Sequence, residues 1–579
     1  MADDKNSGSV ANIFAFGSPD PGLVNRAHSR LERHYDVVWR PASGWVFAIR
    51  SIGWSEPCQN PTGSILQAEA SRPITADETV KGLLARPGDF TFVFLGSGGK
   101  VHAARSAAGL VPLYFWQGPD RLVFSTQADA IPDFGGWRGG LEPLSNAIWV
   151  MGWGGNLSNR SHLAGVRSLA VGETVTFASP DTAAAITRYW CPQPLEPPLR
   201  PDSKLARSRQ GRVRALLLDS LSKSLDPQGA NLLSLSGGVD SGVLLSLATQ
   251  KLGFQIMTWS QLPPEGVATR DREIGFVRPL RTWAGVSRFW EDDLTPDSFE
   301  ALIQQAPPIS FPVIHPALCS LATITREQQV RVLLGGEFAD EVCGSRLSTP
   351  DWAAGTALSE LLSEPSAWPF GRSAPARWLK GRVLAAIGRP YVMHPDGLLE
   401  FVPEELKREY QDELARMRRW VNGLPAAHRY MFTRHVTNDF AAMNWEACSH
   451  YGIRRVFPFL SRDVIELAME CHPSELIGPG TKRLLRGAVH EDVPHATLYR
   501  QDKGNFGLRF DKLRRPIGDL QLDDEKTWAP LENMVSPQWR KTTMRRGWMG
   551  YNEKCGLLYL IRGQRNLEAA LTRAGAPDV

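Results

Sequence analysis

The fold is decided by the stretch Asn231-Leu-Leu-Ser-Leu-Ser-Gly-Gly-Val-Asp-Ser-Gly242. Its apolar first half predicts a buried strand, and a helix is predicted from Gly242 through Thr249, after a glycine loop. Gly237 and Gly238 lack the side chains that would keep a phosphate away from the backbone amides. The helix points its unpaired N–H groups and the positive end of its dipole at the same anion. The stretch therefore predicts a phosphate-binding loop.

Three polar side chains in this loop indicate which phosphate compound it binds. Ser236 and Ser241 supply hydroxyl donors, whereas Asp240 brings a carboxylate that would repel phosphates unless a divalent cation lay between them. Mg²⁺ is therefore expected together with the phosphates of a nucleotide. The loop lacks the Gly-Lys-Ser/Thr sequence of a Walker A motif, so the pattern does not indicate γ-phosphate transfer of that kind.

The segment Ser-Gly-Gly-Val-Asp-Ser at residues 236–241 resembles the pyrophosphate loop (PP-loop) of the adenylating ATP pyrophosphatase superfamily. The structural alternative is a strand-to-helix turn that happens to be rich in small residues. The resemblance implies an α/β fold with a mostly parallel sheet and helical additions. It also implies nucleotide contacts from Leu235, Ser236, Gly237, Gly238, Asp240, Ser241 and Met257.

Length and composition limit the classes of protein. The 579 residues exceed what one hydrophobic core holds, so two or more domains are expected. The formal net charge is only +4, which gives no support to nucleic-acid or membrane-surface binding. The seven cysteines are scattered without Cys-x-x-Cys pairs, which argues against a disulfide framework and against a zinc site. The polar start and the absence of a long apolar run predict a cytoplasmic protein.

Residues 1–190 contain short apolar strands separated by turns and are predicted to form a β-rich domain. Segments 88–94, 104–115 and 124–131 resemble, in order and spacing, the N-terminal Ntn amidohydrolase (glutaminase) domain of class B asparagine synthetases, which has αββα layers. Those enzymes attack glutamine with an N-terminal cysteine. Here residue 2 is Ala2 and no cysteine precedes Cys58, so we expect a retained scaffold that does not hydrolyse glutamine by that mechanism.

Residues 191–201 include five prolines and are predicted to be a stiff linker between domains. Beyond it, residues 203–225 predict a helix with an apolar stripe that includes Leu205 and Leu217. Strands are predicted at 253–259, 286–290 and 330–334, with helices near 271–284 and 317–329. This alternation predicts a parallel sheet that binds its ligand at the carboxyl ends of the strands. Residues 202–579 are thus expected to be the ATP-dependent synthetase domain.

A second acidic loop follows the last of these strands, in Gly335-Gly-Glu-Phe-Ala-Asp-Glu-Val-Cys-Gly344. It resembles the Gly-Glu-Gly-Ser-Asp-Glu-Ile-Phe-Gly stretch of asparagine synthetases, with Glu337 and Asp340 in register. The resemblance implies that Gly335 and Gly336 contact the nucleotide and that Asp340 joins Asp240 in binding Mg²⁺. The alternative is a capped turn with solvated acids.

Residues 452–461, Gly-Ile-Arg-Arg-Val-Phe-Pro-Phe-Leu-Ser, resemble the Gly-Val-Glu-Ala-Arg-Val-Pro-Phe-Leu-Asp of asparagine synthetases. Arg454, Val456 and Ser461 depart from that pattern. Because the resemblance puts this stretch near the amino-acid substrate, the departures count against aspartate as the substrate. Glu446, on a predicted helix just upstream, is a candidate acid or base, and a solvated helix face is the alternative.

Two lysine-bearing segments, 481–486 and 499–507, resemble the segments that touch phosphates in this family. An ammonium ~4 Å from the pyrophosphate contributes on the order of 4 kcal/mol at an effective dielectric constant of about 20. Lys503 is accordingly a candidate catalytic residue, with Glu337 as a weak base. Lys482 is a candidate nucleotide contact, and a surface lysine on a basic helix face is the alternative.

The resemblance to asparagine synthetase B implies an AMP-forming carbon–nitrogen ligase that activates a carboxylate as an acyl adenylate, which an amine then attacks. Without the N-terminal cysteine, the amine is expected to lie on the substrate itself. Lasso-peptide cyclases share that loss, and the chain resembles them. The expected reaction joins the α-amine of a precursor peptide to an Asp or Glu side chain, giving an isopeptide-linked macrolactam of the ribosomally synthesised, modified (RiPP) class.

Alternative functions remain open at this point. An ammonia-dependent asparagine synthetase would use aspartate, and a β-lactam synthetase-like enzyme would cyclise a small molecule. The β-lactam enzymes carry a tyrosine where Glu337 stands, which counts against them. An RNA-modifying PP-loop enzyme is less consistent with the balanced charge of the chain. A non-enzymatic binding protein is less consistent with a complete ATP motif. A lasso cyclase implies a precursor peptide as the partner, together with a leader-peptide-binding protein and a leader peptidase.

Overall fold

The structure is a computed structural model that gives the backbone for most of both halves of the chain. It describes residues 10–42, 44–52, 65–68, 82, 84–85, 89–96, 99–107, 109–128, 130–150, 159–191, 202–263, 269–293, 328–345, 348–363, 373–386, 402–421, 424, 441–478, 480–500, 514–516, 532, 534, 536–546, 548–550 and 572. Three predicted features lie outside the described residues: the linker prolines at 192–201, residues 317–327 of the helix predicted at 317–329, and Lys503. The boundary between the domains therefore stays a prediction.

Two antiparallel sheets make up the N-terminal part, as the β-rich pattern predicts. The strand order is β2-β3-β1-β8-β7-β9 in the first sheet and β11-β10-β6-β5-β4 in the second. The strands are β1 (Val10–Gly17), β2 (Val37–Trp39), β3 (Trp45–Ile52), β4 (Ile65–Ala68), β5 (Thr91–Leu95), β6 (Val101–Arg105), β7 (Tyr114–Gln117), β8 (Leu122–Ser125), β9 (Arg167–Ser168), β10 (Glu173–Phe177) and β11 (Ala185–Arg188). The helices are α1 (Pro21–Leu31), α2 (Ala130–Gly135) and α3 (Pro143–Val150).

The alternation of side chains along β1 explains the layering of this part. Ile13 belongs to the buried cluster that also holds Val93 of the second sheet, so this face of the first sheet packs against that sheet. Phe14 points to the opposite face and packs with Val24 and Leu31 of α1. The described elements therefore form helix, sheet and sheet layers, three of the four layers in the predicted αββα arrangement.

The C-terminal part contains a five-stranded parallel sheet surrounded by helices. Its strands are β12 (Asn231–Ser234), β13 (Ile256–Leu262), β14 (Phe289–Asp293), β15 (Val332–Leu334) and β16 (Arg454–Val456). The short pairs are β17 (Ile477–Gly478) with β18 (Gly480–Thr481), and β19 (Arg514–Pro516) with β20 (Trp548–Gly550). The helices are α4 (Ser203–Ser224), α5 (Val239–Ser246), α6 (Thr269–Ala284), α7 (Ala339–Val342), α8 (Thr349–Gly355), α9 (Leu358–Ser363), α10 (Ala374–Ala386), α11 (Glu404–Val421), α12 (Ala441–His450), α13 (Arg462–Glu470), α14 (Pro473–Leu476), α15 (Arg483–Ala488), α16 (His495–Leu498) and α17 (Pro537–Arg546).

The order of the parallel strands, β14-β13-β12-β15-β16, fixes where a ligand can bind. The chain runs outward from β12 through β13 to β14, and then returns to the other side of β12 to form β15 and β16. In an open parallel sheet, ligands bind outside the carboxyl ends of the strands where this direction reverses. That point lies between β12 and β15, which are the two strands followed by the predicted nucleotide and metal loops.

Several predicted boundaries differ from the observed ones. The helix after the glycine loop begins at Val239, three residues earlier than predicted, and continues as a π-helical turn over Leu247–Lys251. Leu205, predicted as part of an apolar stripe, is exposed, whereas Arg209 is buried on the same helix. Arg209 can be buried because its guanidinium Nη1 donates to Glu475 Oε2 at 2.6 Å.

Side chains of the N-terminal part contact the C-terminal part directly. Trp190 donates its indole N–H to Glu466 of α13 at 2.8 Å. Arg160 pairs with Glu142 at 2.7 Å and also with Glu409 of α11. Among the described helices, none is both long and apolar enough to cross a membrane.

Candidate active site

The loop after β12 has the close-fitting conformation that its glycines predict. Gly237 has φ +64°, in the left-handed region, and a Cβ there would lie 3.0–3.2 Å from Phe276, Val277 and Arg500. Ser241 Oγ accepts from the Ser236 amide at 3.2 Å and lies 3.2 Å from Ser236 Oγ. The loop is therefore closed on itself by its two serines and leads directly into α5, whose N-terminus carries unpaired amides.

Arg500 contacts this loop through a hydrogen bond to its backbone, and the sequence did not reveal this role of Arg500. Its buried guanidinium donates to the Ser236 carbonyl at 3.3 Å and to Glu273 Oε2 at 2.6 Å. It also stacks on Phe276, with 4.0 Å from Cζ to the ring centroid. The only sequence signal was its place three residues before Lys503, in a segment already assigned to phosphate contact.

The loop after β15 packs against the first loop so tightly that a glycine is required between them. A Cβ on Gly336 would lie 2.9 Å from both Asp240 Cβ and the Ser241 amide nitrogen. This contact brings the two acidic loops together at the point where the strand order reverses. It places Asp340, at the start of the short helix α7, near Asp240 at the start of α5.

Lys482 lies between these two carboxylates. Its ammonium contacts Asp240 Oδ1 and lies 2.8 Å from Asp340 Oδ1, although Lys482 is 242 residues from Asp240 in the chain. Burial lowers the pKa of Lys482, but attraction to Asp240 and Asp340 outweighs burial and raises the pKa above its usual value. Lys482 is therefore a cation of the site and not the surface lysine of the alternative interpretation.

The same two carboxylates suit a divalent cation. Their oxygens converge on one cationic atom, and carboxylate oxygens are the ligands that Mg²⁺ prefers. Glu341 is adjacent to this pair, and burial together with repulsion from Asp340 raises its pKa to about 7. Within the described parts of the chain, no group of three or more His, Cys, Asp or Glu side chains forms a complete protein metal site. Asp240 and Asp340 thus fit a metal that takes its other ligands from phosphate and water.

Glu337 is held beside the nucleotide loops by a residue that sequence reasoning missed. Arg455, only 2% exposed, donates from Nη2 to Glu337 Oε1 at 2.7 Å. Glu337 Oε2 is buried and accepts no hydrogen bond from the described residues. The carboxylate folds back over Gly335, where a Cβ would lie 1.8 Å from Oε2. One oxygen of Glu337 is therefore fixed by Arg455, and the hydrogen-bonding capacity of the other is not used by the described residues.

The departures from the asparagine synthetase pattern have clear structural consequences. Arg454 turns away and donates to the Ser224 carbonyl at the end of α4. Val456 is buried in the hydrophobic core. Ser461 caps α13 by accepting from the Val464 amide at 3.3 Å. The cation that the family places at position 456 is thus absent, and the neighbouring Arg455 is committed to Glu337.

Other predicted site residues occupy varied positions. Leu235 donates its amide to the Trp259 carbonyl at 2.8 Å and anchors the start of the loop, and Gly238 is the N-cap of α5. Met257 pairs with Leu232 inside the sheet, so its nucleotide contact stays a prediction. Glu446 is buried on α12, which argues against a solvated helix face. Lys503 lies outside the described residues, and its role also stays a prediction.

The sheet order and the two acidic loops form the arrangement that the sequence predicts for an adenylating ATP site of the PP-loop class. Residues 212–553, more than half of the chain, match the asparagine synthase family. The chain therefore belongs to that family.

Individual relatives are more distant. Proteins of Mycobacterium bovis and Mycobacterium tuberculosis, named "Putative asparagine synthetase (glutamine-hydrolyzing)", are 29% identical over 183 residues, which is 31% of this chain and 27% of each relative. The match thus spans about a quarter of those relatives. Structures of an NH3-dependent NAD synthetase from Campylobacter jejuni and an NMN synthetase from Francisella tularensis are 10% and 15% identical and cover 41% of this chain and 95% of theirs. Their TM-scores of 0.19 do not establish a shared fold.

Proposed function

We propose that this protein is an ATP-using ligase that forms amide bonds, and that it is a lasso-peptide cyclase. It adenylates an Asp or Glu side-chain carboxylate of a precursor peptide, releasing pyrophosphate. The peptide's own α-amine then attacks the acyl carbon, which forms the isopeptide bond of a macrolactam and releases AMP. Residues 1–190 act in this proposal as a glutaminase-like scaffold, and residues 202–579 carry the chemistry.

The observation that carries the proposal is that no unpaired arginine stands at positions 455 and 456, next to Glu337. A free aspartate substrate has an α-carboxylate that requires a positively charged partner in a site of this kind. Val456 offers none, and Arg455 is neutralised by Glu337 at 2.7 Å. A carboxylate inside a peptide chain lacks the free α-carboxylate, so its recognition does not need that cation.

Glu337 is suited to accept the proton of the attacking amine. A peptide α-amine has a pKa of ~8, so about a tenth of it is already neutral at pH 7 and weak base assistance suffices. Glu337 Oε2 supplies an unengaged carboxylate oxygen, while Arg455 fixes the orientation of the side chain. A peptide that fills the site would also exclude the water that hydrolyses acyl adenylates.

The phosphates require positive charge and backbone donors. In this proposal the amides at Gly237 and Gly238, with Ser236 and Ser241, bind the pyrophosphate, and Lys503 closes over it. When bound by Asp240 and Asp340, Mg²⁺ would neutralise the phosphate charge that the carboxylates would otherwise repel. The expected partners are the precursor peptide, a leader-peptide-binding protein and a leader peptidase.

The proposal is tested with purified protein, ATP, Mg²⁺ and a linear core peptide that carries an Asp or Glu at ring-closing distance. The expected products are a peptide lighter by one water, seen by mass spectrometry, and AMP in equal amount. Glu337→Gln should lower the rate of cyclisation by about 10²-fold or more while pyrophosphate exchange into ATP continues. The surface variant Glu404→Gln serves as the control, because the Glu404 side chain is 81% exposed, and it should cyclise the peptide normally.

Production of ADP in place of AMP would refute adenylation. A second candidate is an ammonia-dependent asparagine synthetase, since the mycobacterial relatives are named as asparagine synthetases. Asparagine formed from aspartate and ammonium, with no change in the peptide, would replace the cyclase proposal with that one. A cyclised small β-amino acid would indicate the third candidate, a β-lactam synthetase-like enzyme.

A further inference from the structure

Lys482 is fixed between Asp240 and Asp340 by its backbone as well as by its charge. It adopts φ +59°, a left-handed conformation that is unusual for a residue other than glycine. Its amide donates to the Gly344 carbonyl at 3.0 Å, and its own carbonyl accepts from the Arg486 amide at 2.8 Å. The strained backbone is thus tied on both sides, which holds the ammonium over the two carboxylates.

A divalent cation that binds Asp240 and Asp340 through their Oδ1 atoms must take the position of this ammonium. Both carboxylates contact Nζ, and Lys482 is only 5% exposed. Displacing the ammonium without a new anionic partner would leave a buried charge uncompensated, which is strongly unfavourable. Free metal therefore faces a competitor that is covalently attached to the site.

Nucleotide phosphates change this balance in two ways. Their oxygens give the displaced ammonium a new partner, and they supply the ligands that Asp240 and Asp340 alone do not complete. Both effects act only when the metal and the phosphates arrive together. This step rests on the proposed function only in placing the phosphates at the loop after β12.

We infer that Lys482 determines the specificity of this site for the metal–nucleotide complex over the free metal, because its ammonium holds the metal-binding carboxylates until phosphates replace them. Lys482 is in this respect a positioning residue for Asp240 and Asp340. It keeps the two acidic loops together when no nucleotide is bound.

The inference is tested by titrating the full chain with Mn²⁺ in the absence of nucleotide. Binding is measured by electron paramagnetic resonance, as the decrease in the signal of the free ion. The wild type is expected to show no saturable site at this position. Lys482→Met should gain one saturable site, with a dissociation constant for Mn²⁺ at least about tenfold below the lower limit that the titration sets for the wild type. Lys482→Arg keeps the positive charge and should gain none. In Lys482→Met, a further Asp340→Asn change should abolish the gained site.

Lys223→Met is the matched control, because Lys223 also pairs with an aspartate, at 2.6 Å, but on the exposed face of α4. It should leave Mn²⁺ binding as in the wild type. If Lys482→Met does not fold, Lys482→Gln takes its place, and thermal unfolding of the wild type still decides the matter, since Mn²⁺ alone should leave its Tm unchanged.

A wild type that binds Mn²⁺ without nucleotide as tightly as Lys482→Met, or whose Tm rises with Mn²⁺ alone, would overturn the inference. So would a gain of the site in Lys482→Arg. These readouts do not depend on turnover, so failure of the cyclase proposal would show in the peptide assay and not in Mn²⁺ binding.

Discussion

Gly336→Ala should separate the two acidic loops, because its new methyl group has no room. The added Cβ would lie 2.9 Å from Asp240 Cβ and from the Ser241 amide nitrogen, whereas ordinary contacts begin at 3.4 Å. The φ of Gly336 is not in the left-handed region, so the effect is steric. Both neighbours belong to, or lie next to, the backbone of α5, and the loops must move apart by about 0.5 Å.

Overpacking of this kind costs about 1–3 kcal/mol. If the movement falls on the nucleotide site, that cost corresponds to a loss of affinity of about tenfold to a hundredfold. The assay is calorimetric titration of the protein with ATP in saturating Mg²⁺, together with thermal unfolding of the nucleotide-free protein.

The matched control is Gly211→Ala. Gly211 lies inside α4, and a Cβ there meets nothing within 4 Å. Alanine is a better helix residue than glycine by about 0.5–1 kcal/mol, so this variant should be slightly more stable and bind MgATP normally. Unchanged MgATP affinity in a folded Gly336→Ala protein would refute the close packing of the loops.

Three further predictions concern buried charges. Arg209→Met should lower the free energy of unfolding by about 3–5 kcal/mol, because it leaves Glu475 buried without its cation. Arg212→Met breaks an exposed pair on the same helix and should lower it by less than about 1 kcal/mol. Chemical denaturation compares the two variants. Burial raises the pKa of Asp89 to about 6 from 3.8, so the folded protein binds this proton more tightly. Stability should therefore decline as pH rises from about 4 to 6, and Asp89→Asn should remove that part of the decline. Arg500→Lys should weaken MgATP binding about tenfold by losing the fork between the Ser236 carbonyl and Glu273, and wild-type affinity would contradict its supporting role.

Local sequence patterns were enough to predict the parallel sheet and the glycine loop at the carboxyl end of its first strand. The strand before the glycine loop, the loop itself and α4 depend on residues that are close in the chain, and each appears within a few residues of its predicted position. The helix after the loop starts earlier than predicted because Val239, Asp240 and Ser241 form its first turn. That difference strengthens the predicted anion site, since it brings the first helical amides into the loop.

The pairings inside the site could not be predicted from the sequence. Lys482 was assigned to phosphate contact, but its ammonium reaches Asp240 across 242 residues. Arg455 reaches Glu337 across 118 residues, and Arg500 reaches Ser236 across 264. Such pairs depend on which strands become neighbours and on which way each side chain turns, and periodicity carries no information on either. Arg454 and Arg455 illustrate this, because one donates to the Ser224 carbonyl and the other to the Glu337 carboxylate although they are adjacent in the chain.

The central claim is that this site activates a peptide carboxylate as an acyl adenylate. It is tested most directly with a core peptide whose Asp or Glu side-chain carboxylate is labelled with ¹⁸O, incubated with the protein, ATP and Mg²⁺. The account predicts that the AMP produced carries one ¹⁸O atom, transferred from the carboxylate when the amide forms. Unlabelled AMP accompanied by cyclised peptide, or label appearing in inorganic phosphate together with ADP, would contradict it.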